Sequence, residues 1–248
     1  MRVAAIYDIH GNLPALEAVL DDVRKAAADH VVVGGDVFPG PMPRECLTRL
    51  LDLDIPVHFI RGNGDREVLS RMRGVETDTV PRQFRGVMRW SAQQLDAGYE
   101  PVLASWPQSL RLAIGGVGEV LFCHATPRSD TEIFTRLTSA PRLLPMFEGV
   151  HSPLVVCGHT HMQFDRTIGK IRVVNAGSVG MPFGPPGAYW LLLGGDIQFR
   201  QTSYDLADAA RRIRATKYPK AREFAARNVM QPPSEQETLD AFAKVDGR

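Results

Sequence analysis

The sequence predicts an α/β fold that opens on a mostly parallel sheet and turns to antiparallel hairpins in its second half. Three observations carry this prediction. Within the first 62 residues, short apolar runs alternate with amphipathic segments across short connections, the pattern of strands joined by helices. After residue 109, apolar runs pair around glycine-rich turns. The chain has 248 residues, 44% apolar and 23% charged, an ordinary globular composition that excludes disorder as the main state. A chain of this length buries roughly three quarters of its unfolded surface and needs no disulfide staples.

Taken in order, residues 3–7 form a short buried strand. Pro14 then opens an amphipathic helix to about residue 28, in the first turn where its missing N–H costs nothing. Residues 31–33 are a second strand ending in Gly34-Gly35. Pro43 starts a helix to about residue 53, and residues 57–60 are a third strand ending in Arg61-Gly62-Asn63-Gly64. Residues 81–106 read as a helical insert, with Phe84, Val87, Met88, Trp90 and Leu95 near one helical face. Strands at 110–114 and 120–123 flank a glycine turn, a helix covers 141–148, and 154–157 is a further strand. Segments 163–168 and 171–174 pair around Gly169-Lys170, and 189–193 pairs with 197–202 around Gly194-Gly195. From about residue 205 the chain turns polar and helical, packs as C-terminal helices and frays near Arg248. The whole, residues 1–248, reads as a single domain.

Lys and Arg number 29 against 28 Asp and Glu, so the net charge is +1. That balance gives no strong nucleic-acid or membrane signal. Three cysteines without a CxxC pair argue against a disulfide framework and place the chain in the cytoplasm. The first residues form too short an apolar run for a secretory leader, and no stretch approaches the ~18 apolar residues of a membrane span. The sequence leaves the oligomeric state open.

The chemistry sits at the ends of the predicted strands. Asp8 and His10 follow the first, Asp36 the second, Asn63 the third, His124 the strand after the hairpin, and His159 and His161 the strand at 154–157. Residues at i and i+2 of an extended chain point to one side, so Asp8 converges with His10 and His159 with His161. In open α/β sheets the ligand site lies beyond the carboxyl ends of the strands, which gathers seven oxygen and nitrogen donors at one edge. Imidazole with carboxylate suits Mn, Fe, Zn, Co or Ni without any thiolate. Seven donors exceed the need of one ion and match two, which would hold a water or hydroxide between them at lowered pKa.

The order Asp8-Ile9-His10, Gly35-Asp36, Gly62-Asn63-Gly64-Asp65, His124 and Gly158-His159-Thr160-His161 resembles the calcineurin-like metallophosphoesterase superfamily. Within it the chain is most similar to the small bacterial and archaeal phosphodiesterase group. Residues 123–128 and the stretch Asn175-Ala176-Gly177-Ser178-Val179-Gly180 add to the likeness, and Ser203-Tyr204-Asp205 resembles a later family segment. The resemblance implies a four-layer α/β/β/α sandwich with a two-sheet core. It also implies two divalent ions per chain, with Mn²⁺ the leading candidate. Asp8, His10 and His161 would bind one, Asn63, His124 and His159 the other, and Asp36 would bridge them. A metal-bridging hydroxide would then attack phosphorus, and His159 or Arg128 would stabilise the developing charge.

The sequence departs from the superfamily pattern at two places. Much of the superfamily carries His after the Asn of the third motif, where it protonates the leaving group or contacts phosphate. Here Gly64 stands there, and general acid catalysis is typically worth 10²–10⁴-fold. The second motif, Gly35-Asp36-Val37-Phe38-Pro39-Gly40, lacks the pattern of the protein Ser/Thr phosphatases. Asp65 is read as orienting the loop or a ligand histidine.

Other residues have plainer readings. Arg128 is placed to reach a substrate phosphate with its planar fork, against the ordinary alternative of a surface salt bridge, and the same holds for Arg61. Alternation turns Cys123 and Cys157 away from the site into packing. His30, His58 and His151 carry no assigned role. The aromatic spacing at Phe84 and Trp90 reads as core, although the insert lies where it would wall a pocket. The loop at 181–187 is either a rigid connector or a border of the site. The function expected is metal-dependent phosphoester hydrolysis of a small substrate, foremost a phosphodiester. The alternatives are a phosphomonoesterase on nucleotides or phosphoproteins, and a metal-holding regulatory scaffold with little turnover.

Overall fold

Residues 3–6 are apolar and fully buried, and everything in the fold is arranged around the strand they form. In the computed structural model, which describes residues 1–78 and 80–244, β1 (Val3–Ile6) pairs in parallel with β2 (His30–Val33), which pairs in parallel with β3 (Val57–Phe59). On the other side of β1 lies antiparallel β9 (Ala188–Gly194), followed by β10 (Asp196–Thr202). The first sheet therefore runs β10-β9-β1-β2-β3. The second runs β4 (Ser109–Ile114), β5 (Gly118–Cys123), β6 (Leu154–Cys157), β8 (Ile171–Asn175) and β7 (Phe164–Ile168), with β5, β6 and β8 parallel and both edge strands antiparallel.

Strand alternation divides the apolar residues between two faces. Val3, Ala5, Tyr7, Val32, Leu191 and Leu193 of the first sheet meet Val120, Phe122, Leu154, Val156 and Val174 of the second. On the outer face of the first sheet, Ala4, Ile6, Val31, Val33 and Leu192 pack against α1 (Leu13–Lys25) and α2 (Pro43–Leu51). On the outer face of the second, Leu121, Cys123, Val155, Cys157 and Val173 pack under α6 (Ala140–Leu143) and the turn after it. Helix, sheet, sheet, helix is the four-layer sandwich the resemblance implied. Both faces of the central strands are buried, so they read as continuous apolar runs rather than alternating ones.

The structure corrects several element readings. Helix α1 starts at Leu13 under an Asn12 cap and ends at Lys25, three residues short of the predicted end. A helix that the glycines of the third motif concealed, α3 (Asn63–Met72), begins at Asn63 itself. The helical insert consists of α4 (Arg82–Gln93), a 3₁₀ turn and α5 (Glu100–Ala104). The helix predicted at 141–148 is a single α turn followed by a 3₁₀ turn. The C-terminal segment forms α7 (Leu206–Arg214), α8 (Ala221–Phe224) running into a π-helical turn at Ala225–Met230, and α9 (Glu235–Phe242). The α7 and α8 pair buries Ala209, Ala210, Ile213 and Phe224 together with Met42 and Val87. The expected fraying near Arg248 lies outside the described residues. Among the described residues, no helix is long and apolar enough to cross a membrane.

Candidate metal centre

Both sheets present the carboxyl ends of their parallel strands at one edge. β1 delivers Asp8 and His10, β2 delivers Asp36, and the β3–α3 junction delivers Asn63. From the second sheet, β5 delivers His124 and β6 delivers His159 and His161. The convergence is as expected, but its cause is different. Asp8, His10, Asp36, His159 and His161 all have positive φ, between 47° and 66°, so the chain curls rather than extends. The left-handed region is uncommon for residues with side chains, though Asp, Asn and His are enriched in it. Five such residues at one site mark backbone strain concentrated where the side chains meet.

The side chains form two overlapping groups. Asp8, His10 and His161 make one, and Asp8, Asp36 and His124 the other, each with its ligand atoms within 4.8 Å of one another. His10 Nε2 and His161 Nε2 face each other at 3.3 Å. Asp36 spans the groups, with Oδ2 3.8 Å from His10 Nε2 and Oδ1 3.6 Å from His124 Nε2. One amide atom of Asn63 lies 3.1 Å from His124 Nε2, from His159 Nδ1 and from the Asp130 carbonyl oxygen. All seven predicted donors are therefore brought together.

Each imidazole is anchored through a backbone carbonyl. His124 Nδ1 lies 3.0 Å from the Gly34 oxygen and His161 Nδ1 2.7 Å from that of Met181. The carbonyls of Pro39 and Thr131 hold His10 and His159. Such anchors fix ring orientation and leave the second nitrogen to face the cluster.

The donor set fits cations. Asp8 Oδ2 accepts from the His159 N–H at 2.9 Å, but Oδ1 is buried and accepts no hydrogen bond. Three imidazole nitrogens surround that orphaned oxygen, His161 at 3.2 Å and His10 and His124 at 3.9 Å. Burial resists ionisation of Asp8, yet the imidazoles, His161 foremost, hold its carboxyl well below the usual range. Burial, and then repulsion from Asp8, pushes Asp36 well above it. Burial, then charge on His161, lowers His10 to about 3, so it stays neutral and free to ligate. Turned inward, as ligation needs, the Asn63 amide oxygen faces only acceptors. A buried cluster of lone pairs without donors is stabilised by metal ions.

Supporting residues hold this geometry. Asp65 accepts from the N–H groups of Asp36, Phe38 and Gly62 at 2.8, 3.1 and 2.9 Å, so it orients the loop and not a ligand histidine. Asn175 Nδ2 donates to the Gly158 carbonyl at 2.6 Å and to Thr160 Oγ1 at 3.1 Å, bracing the His159 loop. Ser178 Oγ donates to the Asp8 carbonyl at 2.8 Å. A Cβ at Gly64 would lie 2.2 Å from the Phe38 oxygen and 3.0 Å from Asp36 Oδ1, while the Gly64 N–H donates to that same Oδ1 at 2.7 Å. Glycine is required there by close approach.

Other predicted residues fall elsewhere. The Arg128 guanidinium donates to Glu132 and, at 2.9 Å, to the Pro145 carbonyl, the salt-bridge arrangement. Arg61 Nε is buried without a hydrogen-bond partner. Phe84 is 40% exposed and is not core. It lines a cavity of about 210 Å³ whose floor is His10, Asp36, Asn63 and Gly64. The 181–187 loop borders the site, since Met181 lines the cavity and the Phe183 ring stacks on His161 with centroids 5.2 Å apart. Sequence reasoning missed Tyr218, Lys220, Phe224 and Asn228, which close the same cavity and belong to no motif.

Residues 1–194 match the calcineurin-like phosphoesterase superfamily domain. The chain is 27% identical over 206 residues to the phosphodiesterase YfcE of Escherichia coli K12, covering 79% of this chain and 89% of that protein. It resembles the crystal structure of a metallophosphoesterase from Sphaerobacter thermophilus at 27% identity and TM-score 0.69, over 91% of this chain and 98% of the other. A hypothetical protein from Pyrococcus horikoshii OT3, 21% identical, shares the fold at TM-score 0.78 over 94% of this chain and 99% of its own. With donors in this order and at this edge of the sandwich, the chain belongs to the calcineurin-like phosphoesterase superfamily and is a metal-dependent phosphoesterase.

Proposed function

We propose that the chain hydrolyses phosphodiesters at a dinuclear centre. Asp8, His10 and His161 would hold one divalent ion, Asn63, His124 and His159 the other, with Asp36 shared. The observation that carries this reading is Asp36, whose two carboxylate oxygens point to opposite groups of imidazoles. Bound there, two such ions supply an acidified water as nucleophile and a charge clamp on the phosphoryl oxygens. The oxygen and imidazole donors suit Mn²⁺, Fe, Zn, Ni and Co alike, and the family resemblance puts Mn²⁺ first.

The chain's own residues do the positioning. The Gly64 N–H fixes one oxygen of Asp36. His159, half-buried where the other imidazoles are buried, stands nearest the solvent side of the cluster. Gly64 offers no proton, so the reading favours esters with good leaving groups. The diester preference is supported by charge. A monoester dianion calls for free cations near the phosphate, and here Arg128 is engaged by Glu132. The YfcE relative, a phosphodiesterase, points the same way. Three buried free cysteines suit a reducing compartment, and the reading places the enzyme in the cytoplasm.

The test is a paired assay. Protein stripped of metal and reloaded with Mn²⁺ receives bis-p-nitrophenyl phosphate and p-nitrophenyl phosphate in parallel. The diester is expected to turn over faster, and Asp36→Asn to lower that rate by about 10³-fold or more, since it removes the shared negative charge while keeping the shape. Near-normal turnover in Asp36→Asn overturns the dinuclear reading. Monoester preference favours a phosphatase, and bound metal without turnover favours a scaffold.

A further inference from the structure

The floor of the cavity is polar and its walls are mostly apolar. Phe84, Val87 and Met88 of α4 form one wall, and Phe224 stands on the C-terminal wall beside Lys220 and Asn228. The Lys220 ammonium lies 5.2 Å from the Phe84 ring centroid, linking the two walls. It also lies 3.5 Å from a Glu223 carboxylate oxygen, so its charge is largely met within the wall. Asn228 sits in the π-helical turn Ala225–Met230, and such turns frequently occur at functional sites. The C-terminal wall lies beyond residue 194, where the match to the superfamily domain ends. This half of the pocket therefore lies outside the part of the chain that the superfamily domain describes.

Phe84 has its large apolar ring 40% exposed, on a helix whose neighbours Val87 and Met88 are buried. A cavity of roughly 150 Å³ accommodates benzene. The present one, about 210 Å³, has room for one six-membered ring beside the phosphoryl oxygens on the floor.

We propose that α4 and the C-terminal helices form a subsite for an aromatic ester group of the substrate, with Phe84 as its specificity-determining residue. The substrate class is a singly charged phosphodiester carrying one ring-sized apolar substituent. The proposal rests on the phosphodiesterase reading above and narrows it. One ester group enters the apolar cavity while the phosphate stays over His10, Asp36 and Asn63. Burying the ring removes apolar surface from water and displaces poorly held solvent from the Phe84 face.

Two non-hydrolysable monoanions that differ only in the ring test this, methyl(phenyl)phosphinate and dimethylphosphinate, neither of which has an ester bond. Their binding to the full-length, Mn²⁺-loaded protein is measured by calorimetry. The phenyl compound is expected to bind about tenfold or more tightly than the methyl compound. Phe84→Ala is expected to bring the two within about twofold, with the weaker affinity unchanged. Phe199→Ala, which removes an equally exposed ring from β10, leaves the ratio as in the parent. Circular dichroism of Phe84→Ala checks that α4 stays folded, and the methyl compound reports an intact floor. Equal binding in the parent, or a ring advantage that survives Phe84→Ala, overturns the subsite and leaves the phosphodiesterase reading standing. Failure of both compounds to bind, with no diester turnover, overturns the phosphodiesterase reading and the subsite together.

Discussion

Gly64 shows how little freedom a single position has at this site. The missing side chain is not an empty place where an imidazole was lost, because a Cβ would meet the Phe38 oxygen at 2.2 Å. Its N–H also fixes the Asp36 oxygen that faces His124. Gly64→Ala must therefore move the Phe38 backbone or the first turn of α3, and either movement displaces Asp36. The expected result is a loss of about 10²-fold or more in diester turnover, because misplacement of a ligand by about 1 Å is that costly. The accompanying fall in stability is about 1–3 kcal/mol, the usual cost of overpacking a tight site. Steady-state kinetics on metal-loaded protein and urea denaturation measure the two. A Gly64→Ala variant with parental turnover would show that Asp36 is held by other means. The strained residues obey the same logic. Asp8, His10, Asp36, His159 and His161 sit at positive φ, each at a cost of about 1–3 kcal/mol. Hydrogen bonds from and to Asp65, Asn175 and Ser178 keep them there.

At the scale of elements, the loop after β2 and the start of α3 are one unit joined by Asp65. Its carboxylate takes three buried backbone N–H groups, two on the β2 loop and one at the helix N-terminus. Asp65→Ala leaves all three without a partner. At about 1–3 kcal/mol for each buried orphan, the expected loss is about 3 kcal/mol or more, read from the urea midpoint. Because Asp36 and Asn63 flank the unit, metal content by elemental analysis should fall with it. Parental stability in Asp65→Ala would mean that water replaces the carboxylate. The ligand edge was legible in the sequence because each donor follows a short, continuous apolar run, and such runs stand out without any periodicity. Helix α3 was not legible, since Gly62, Asn63 and Gly64 read as a turn and yet form a helix cap and first turn. His10 and His161 meet the neighbours an extended chain would give them, but through left-handed backbone. Sterically rare left-handed residues leave no periodic trace. Phe84 misled because an aromatic at helical spacing looks the same whether the helix face meets a core or a cavity. The C-terminal wall carried no signal, because Lys220 caps α8, Phe224 ends it and Asn228 sits in the π-helical turn that follows, so the three share no single helical period.

Across the whole molecule, the metal edge exists only because two sheets dock at a fixed spacing. The first sheet supplies Asp8, His10, Asp36 and Asn63, and the second supplies His124, His159 and His161. Tyr7 sets that spacing directly beneath the ligands. It is fully buried, and its hydroxyl crosses between the sheets to donate to the Val156 carbonyl at 3.1 Å. Its ring fills the space left by two glycines. A Cβ on Gly34 would lie 1.9 Å from the ring, and one on Gly158 would lie 2.5 Å from Tyr7 Cδ1 and 2.5 Å from Asp8 Oδ2. Two substitutions separate the hydroxyl from the spacing. Tyr7→Phe keeps the ring and loses one hydrogen bond, so it should cost about 1 kcal/mol and leave metal stoichiometry and diester turnover near parental. Gly158→Ala adds one methyl group between the sheets, and a packed interior transmits such strain instead of absorbing it. It should push Asp8 from His161 and His124, lower metal occupancy, and reduce turnover far more than its loss of stability would suggest. Thermal melts, elemental analysis and kinetics on the two variants decide the point. If Gly158→Ala retains metal and activity while Tyr7→Phe loses them, the hydrogen bond, and not the spacing of the sheets, holds the ligand edge together.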